Sequence, residues 1–226
     1  GLRENNGRYT DFKYRIYNLI DQSEIFTFLG KDSLSHRGTW GAFDSSGLLS
    51  QETDTLIQVG ENGIIYKIKL NTNFNALSGT MSMSPEITKF LYKSSYNEVS
   101  SDYGIESSPA IYRNLMYTVD NGGTLLCTDI NKLEPVWMYD TKDDTDSTVV
   151  IEETEDGVFI YTANEVDKRC AGGKSSKADA NIRKFNALTG ELVWQKDYTC
   201  YYRSYINGGV LGTPLIGKND ISDMII

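Results

Sequence analysis

Histidine and cysteine are both scarce in this chain: one His and three Cys stand among 226 residues. A lone His36, in the stretch SHRGTW, cannot build a His-rich transition-metal centre. No Gly-x-Ser-x-Gly elbow accompanies it, so it reads as a surface or packing residue, with Trp40 and Phe43 beside it packing the lead-in to a sheet. Long apolar runs are missing: nothing approaches 18 consecutive apolar residues, the least that a membrane-spanning helix requires. No stretch holds a helical apolar period for three turns, which excludes a helical architecture. No Pro- or Ser-rich linker divides the chain, so residues 1–226 read as a single domain. Positive charge is short as well: 22 Lys and Arg face 31 Asp and Glu, for a net charge of -9. Nucleic acid and anionic membranes bind through a basic surface, so neither is an expected partner. No secretory leader is legible, as is normal in a mature chain.

What the chain has instead is repetition. SSPAIYRNLMYTVDNGGTLLCTDINKLEPVW, ending at Trp137, is echoed by STVVIEETEDGVFIYTAN with NIRKFNALTGELVW, ending at Trp194. SSGLLSQETDTLIQVGENGIIYKIKLNT precedes them, and GTPLIGKNDISDMII starts the phrase again. Self-similarity at this scale marks a repeat architecture. Aligned on Ser45, Ser107, Ser147 and Thr213, the copies are unevenly spaced because polar insertions fall at 71–100 and 164–180. Each copy reads as four short strands of apolar β-formers separated by Gly, Asn and Asp turns such as Asn62-Gly63, Gly122-Gly123 and Asp156-Gly157. A four-stranded antiparallel sheet cannot bury both faces alone, and radial stacking of such sheets buries them against one another. The expected fold is therefore an all-β propeller.

RIYNLIDQSEIFTF (Arg15–Phe28) aligns without a gap on RKFNALTGELVWQK, placing Asn18 opposite Asn186 and Phe26 opposite Trp194. The expected division is a half-blade at 11–30, blades at about 41–100, 104–140 and 147–198, and a half-blade at 209–226. Two readings follow: a portion of a larger ring of about seven or eight blades, or a closed four-bladed ring.

The phrase FNALTGELVW resembles the tryptophan docking motif of the pyrroloquinoline-quinone-like (PQQ-like) β-propeller repeat family, with Asn186, Gly190 and Trp194 in the marked places. CTDINKLEPVW keeps Asp129 and Trp137 but has Leu133 at the glycine, and the first blade keeps only the strand pattern, with Lys69 where Asp129 stands. The resemblance implies that Trp137 and Trp194 pack between neighbouring blades, with Phe26 in the same role. It also implies two functions. One is a non-catalytic scaffold that presents loops to a protein, peptide or glycan, as in outer-membrane assembly lipoproteins and secreted bacterial propellers of the family. The other is a PQQ- and calcium-dependent quinoprotein dehydrogenase. The chain has no adjacent Cys-Cys pair and no match to the catalytic segments of those dehydrogenases, so the binding role is the expected one, with no catalytic residue and no PQQ. An extracytoplasmic location, secreted, cell-surface or periplasmic, goes with it.

Three further segments carry chemistry. Asp143, Asp144 and Asp146, in DTKDDTDSTVV, supply hard oxygen donors that calcium favours, but the preferred reading is a solvated turn whose aspartates cap backbone amides. Cys127 lies within an apolar strand as a buried thiol, whereas Cys170 and Cys200 flank one hairpin and are either a disulfide or two unrelated thiols. EVDKRCAGGKSSKADA (Glu165–Ala180) contains Gly-Gly-Lys-Ser, but the first glycine of a phosphate loop is missing, which leaves a surface loop.

Overall fold

The structure is a computed structural model that describes residues 2–6, 9–167, 176–203 and 206–226. It forms two compact units, Gly1–Tyr92 and Lys93–Ile226. Both are built of antiparallel sheets, with only two short 3-10 turns among the described residues.

In the first unit β1 (Leu2–Asn6), β2 (Tyr9–Tyr17) and β3 (Glu24–Leu29) form a three-stranded sheet in that order. The sequence shows the β2–β3 hairpin, and β1 adds a strand that its polar residues did not announce. A second sheet has the order β4 (Leu48–Ser50), β5 (Thr55–Val59), β6 (Ile64–Lys69) and β9 (Glu86–Leu91). The two sheets meet through aromatic rings. Phe28 lies 5.3 Å from Phe43 and 5.1 Å from Tyr66, and Tyr14 stacks on Phe28 at 5.3 Å. Burying such rings is the main stabilising term available to thin sheets.

Residues 71–100 are more than a polar insertion. The chain beyond β6 continues as β7 (Thr72–Asn75), turns, and returns as β8 (Thr80–Met83) into β9, which extends the β6–β9 hairpin. Lys69 is therefore not the counterpart of Asp129: it lies mid-hairpin opposite Glu86, and Asn75 holds the turn.

In the second unit β10 (Ala110–Tyr112), β11 (Leu115–Val119), β12 (Thr124–Asp129) and β13 (Glu134–Asp140) form one four-stranded sheet. β14 (Val150–Thr154), β15 (Gly157–Ala163), β17 (Ser176–Asn186) and β18 (Leu192–Tyr202) form the next. β16 (Glu165–Val166) pairs with β19 (Gly208–Gly209), and Leu215 and Ile226 exchange backbone hydrogen bonds, starting one more antiparallel pair. The expected loop at 165–180 is thus corrected at both ends. Glu165 and Val166 are a buried strand, and 176–180 lengthen β17. Gly172–Ser175 lie outside the described residues.

The repeats share one fastening. Ser45, Ser107 and Ser147 are buried, and each hydroxyl donates to the last carbonyl of its second strand: Val59 O, Val119 O and Ala163 O, at 2.9, 2.9 and 2.6 Å. The backbone N–H of Ser108 donates to Thr148 Oγ1, and that of Thr148 to Thr213 Oγ1. Thr213 is therefore in step with Ser108 and Thr148, one residue off the alignment read from the sequence, and Gly212 takes the serine place.

A second shared device closes the outer hairpins. Asn18, Asp129 and Asn186 accept backbone N–H bonds two residues on through Oδ1, and the fifth residue of each turn is left-handed: Gln22 (φ 61), Leu133 (φ 56) and Gly190 (φ 75). A bulge in the hairpin then sets Phe26, Trp137 and Trp194 opposite Ile16, Cys127 and Lys184. Asn75 and Gly79 (φ 66) build a fourth copy of the turn without the bulge.

Trp137 of β13 lies on the turn of the next sheet. Its Nε1 donates to Ala187 O at 3.2 Å, beside the Tyr117 hydroxyl at 3.0 Å. A Cβ on Gly190 would stand 2.6 Å from the indole ring. Gly190→Val should therefore be strongly destabilising, through both the clash and the left-handed backbone. Trp137→Ala should cost about 2–4 kcal/mol, less than a fully buried Trp, by urea denaturation. An unchanged urea midpoint in either variant would contradict the docking geometry.

Candidate binding site, an acidic loop cluster

At one end of each sheet the repeat places two polar residues together. The first immediately precedes the fastening serine: Asp44, Glu106 and Asp146. The second comes two residues after the second strand: Glu61, Asn121 and Glu165. In the first unit Asp44 and Glu61 bring carboxylate oxygens within 4.8 Å of each other. Glu61 is nonetheless well held, accepting from Arg37 Nη1 at 3.0 Å and Trp40 Nε1 at 2.5 Å. In the second unit Asn121 Nδ2 donates to Glu106 Oε1 at 2.7 Å. Where that place holds a carboxylate, at Glu165, it faces Asp146, and the two negative charges oppose each other.

Glu165 is the least expected member. It is only 1% exposed, fixed in β16 by pairing with Gly209 and by its N–H donating to Asp144 O at 2.9 Å. Oε2 accepts from Asn207 Nδ2 at 2.7 Å, and the carboxyl shares a hydrogen bond with that of Asp146. Its loop is rigid: Asn164 Oδ1 accepts from Asn181 N and from the buried Arg183 guanidinium, while Asn164 Nδ2 donates to Glu165 O. Burial, together with the charges of Asp146 and Asp167, pushes the Glu165 carboxyl up to about 8. Burial likewise pushes Asp144 up to about 9, helped by Asp146, Glu106 and Glu165. The sequence hinted at Glu165 only through its place after the second strand, hidden by the assignment of 165–180 to a loop.

The three aspartates read as calcium donors do not converge. Asp143 is buried, with Oδ1 accepting from Asp144 N at 3.0 Å and Oδ2 from Asp167 N at 2.8 Å. Asp144 Oδ1 accepts from Thr145 N at 2.7 Å, and Asp146 is exposed. Asp143, Asp144 and Asp146 do not bring one oxygen each within 4.8 Å of one another, which a single ion would require. Backbone amides donate to both oxygens of Asp143 and to one of Asp144.

The other singled-out residues are placed as follows. Asp129 Oδ1 caps Asn131 and Lys132, and these amides hold its carboxyl below the usual range. Asn186 caps Leu188 and Thr189. Phe26 is half-buried, 6.0 Å from Phe28. Trp194 departs from the expected packing on a neighbouring sheet: it is 37% exposed and touches Tyr161 of its own sheet edge-on at 6.0 Å. Among the described residues no turn lies over it as 187–190 lies under Trp137. His36 hydrogen-bonds to Tyr92 O through Nε2, a packing role. Burial pushes the Cys127 thiol up to about 12, as expected of an inert thiol in a strand. Cys170 lies outside the described residues, and Cys200 Sγ lies 3.3 Å from Tyr198 O.

No protein-family model matches the chain, and no curated protein matches it by sequence. Among solved structures it is similar to BamB from Moraxella catarrhalis, at 12% identity and a TM-score of 0.52, over 86% of this chain and 50% of that one. It is also similar to Sqt1 of Saccharomyces cerevisiae, at 14% identity and a TM-score of 0.50, over 88% and 52%. Both are β-propeller proteins. The fold of the present chain is an all-β propeller fold of four-stranded antiparallel sheets. The chain spans about half the length of these structures.

The raised carboxyls fix the sign of a pH effect. Between an unfolded value near 4.3 and the folded value of about 8, the folded state holds a proton at Glu165 that the unfolded state has lost. Stability should therefore fall as pH rises through that window. Glu165→Gln, which cannot ionise, should match the native melting temperature near pH 4 and exceed it increasingly towards pH 8. Parallel melting curves for the two proteins at every pH would contradict the assignment.

Proposed function

We propose that the chain is a non-catalytic β-propeller binding protein that presents its acidic loops to a basic segment of a protein or peptide partner. The observation that carries this reading is the placement of Glu106, Asp144, Asp146 and Glu165 on neighbouring loops of the second unit, where burial and the surrounding charges raise the proton affinity of Asp144 and Glu165. Crowding of like charge is costly, and a cationic partner relieves it. In this reading the repeats are of the PQQ-like type, which the Asn186, Gly190 and Trp194 pattern supports. An extracytoplasmic location rests on the same resemblance.

A deca-lysine peptide tests the charge requirement by titration calorimetry. Each partly exposed ion pair contributes only about 0.2–1 kcal/mol, so binding should be weak and should fade as salt shortens the screening length. A Glu106→Gln, Asp146→Asn double variant should bind roughly tenfold more weakly. Heat of binding that is absent at low salt, or equal in the variant, would overturn the reading.

A further inference from the structure

Each repeat sets a carboxyl, the residue before its fastening serine, against the residue two places after its second strand. The three copies answer that opposition differently. Glu61 of the first copy, opposite Asp44, accepts from Arg37 and Trp40. In the second copy the place holds Asn121, whose amide donates to Glu106 Oε1. In the third copy both places are carboxyls, Asp146 and Glu165, and they share a hydrogen bond. A hydrogen bond between two carboxyl groups needs a proton on one of them. A proton therefore stands where an amide hydrogen of Asn121 stands in the copy before. Among the described residues no Lys or Arg forms an ion pair with either group.

The backbone anchors both partners. Ser147, next to Asp146, donates its hydroxyl to Ala163 O at 2.6 Å, two residues before Glu165. The Glu165 N–H donates to Asp144 O at 2.9 Å. β19 lies so close that a Cβ on Gly209 would stand 2.9 Å from Glu165 Cα. Glu165 is buried, whereas Asp146 is open to solvent. The other charged groups that face the pair are acidic. Asp144 lies on the loop of Asp146, Asp167 follows β16, and Glu106 faces Asp144 from the adjoining loop. Asn207, before β19, is neutral, and the Arg183 guanidinium is directed to Asn164, Asn181 and Gln195.

We propose that a lysine ammonium of the bound partner supplies the counter-charge at Asp146 and Glu165 in place of this proton, so that the chain takes up its basic segment by exchanging a proton for a cation. The inference rests on the binding reading above. Linkage fixes its sign: a cation that loosens the proton is itself held more weakly while the proton is present. An opposite charge within about 4–6 Å favours the ionised carboxyl enough to move its titration down by about one to three pH units. The Glu165 carboxyl titrates at about 8 in the free chain, so affinity rises as pH climbs towards that value. Asp144, pushed up to about 9, keeps its proton through most of this range.

Titration calorimetry with deca-lysine at low salt reads the exchange in two ways. The association constant should rise roughly 5- to 50-fold between about pH 6 and pH 8. Near pH 7, buffers of different ionisation enthalpy should reveal the release of roughly 0.4–0.9 proton per peptide. Glu165→Gln keeps a hydrogen-bond donor where the proton stood and cannot ionise. It should show neither the rise nor the release, and should bind throughout as the native chain does near pH 6. The buffer series needs only the native chain, so it decides the matter even if the variant does not fold. Equal affinity at both pH values with no proton released overturns the exchange and leaves the binding reading standing. A Glu165→Gln variant that keeps the full rise also overturns it, because the proton then belongs to another group. Absence of binding heat at every pH overturns both.

Discussion

A five-residue turn that ends in left-handed backbone governs how far each outer hairpin reaches, and so what a neighbouring sheet can touch. An Asn or Asp side chain caps the amides of the turn and makes its tight path favourable. The residue at its end then decides between two outcomes. With glycine, as at Gly190, an indole from the next sheet lies against the backbone and donates to Ala187 O. With Gln22 or Leu133 the same left-handed backbone carries a side chain in place of the bare glycine. Sheet-to-sheet packing in the second unit grows outward from this contact, through Tyr117, Tyr139 and Phe185 into a core that includes Val119, Leu125 and Ile160.

The opposite ends of the sheets obey a different economy. Three serines tie the entry of each repeat to its second strand, and the residues before them gather carboxylates on the adjoining loops. Rigid elements hold these groups close despite their repulsion. The β16–β19 pair and the network from Arg183 through Asn164 keep the Glu165 carboxyl buried whatever its charge. Such enforced proximity is why Glu165 and Asp144 hold their protons well above the usual carboxylate range.

The fold class was legible because it rests on local chemistry: alternating β-formers, Asn-Gly and Gly-Gly turns, and recurring Asn and Trp at fixed offsets. Even the alignment of Arg15–Phe28 on the later hairpin corresponds to equivalent pairing of Phe26 and Trp194. Residues 71–100 are less legible, because the FNALSG turn lies beyond the register at which Lys69 matches Asp129. Glu165 is not legible either, since a two-residue strand has no periodicity to detect. The aspartates at 143, 144 and 146 have a spacing that suits calcium and amide capping alike, and backbone amides donate to two of them.

The sequence by itself determined the all-β repeat, its turns and its acidic balance, because each of these depends on residue type and separations of a few positions. Only the tertiary structure decided which aromatics are docked and which carboxyls are crowded. Trp137 and Trp194 hold the same place in their hairpins, yet one is covered by a glycine turn and the other stands 37% exposed. Burial and charge crowding come from residues far apart in the chain, and no local pattern encodes how a neighbouring sheet will lie.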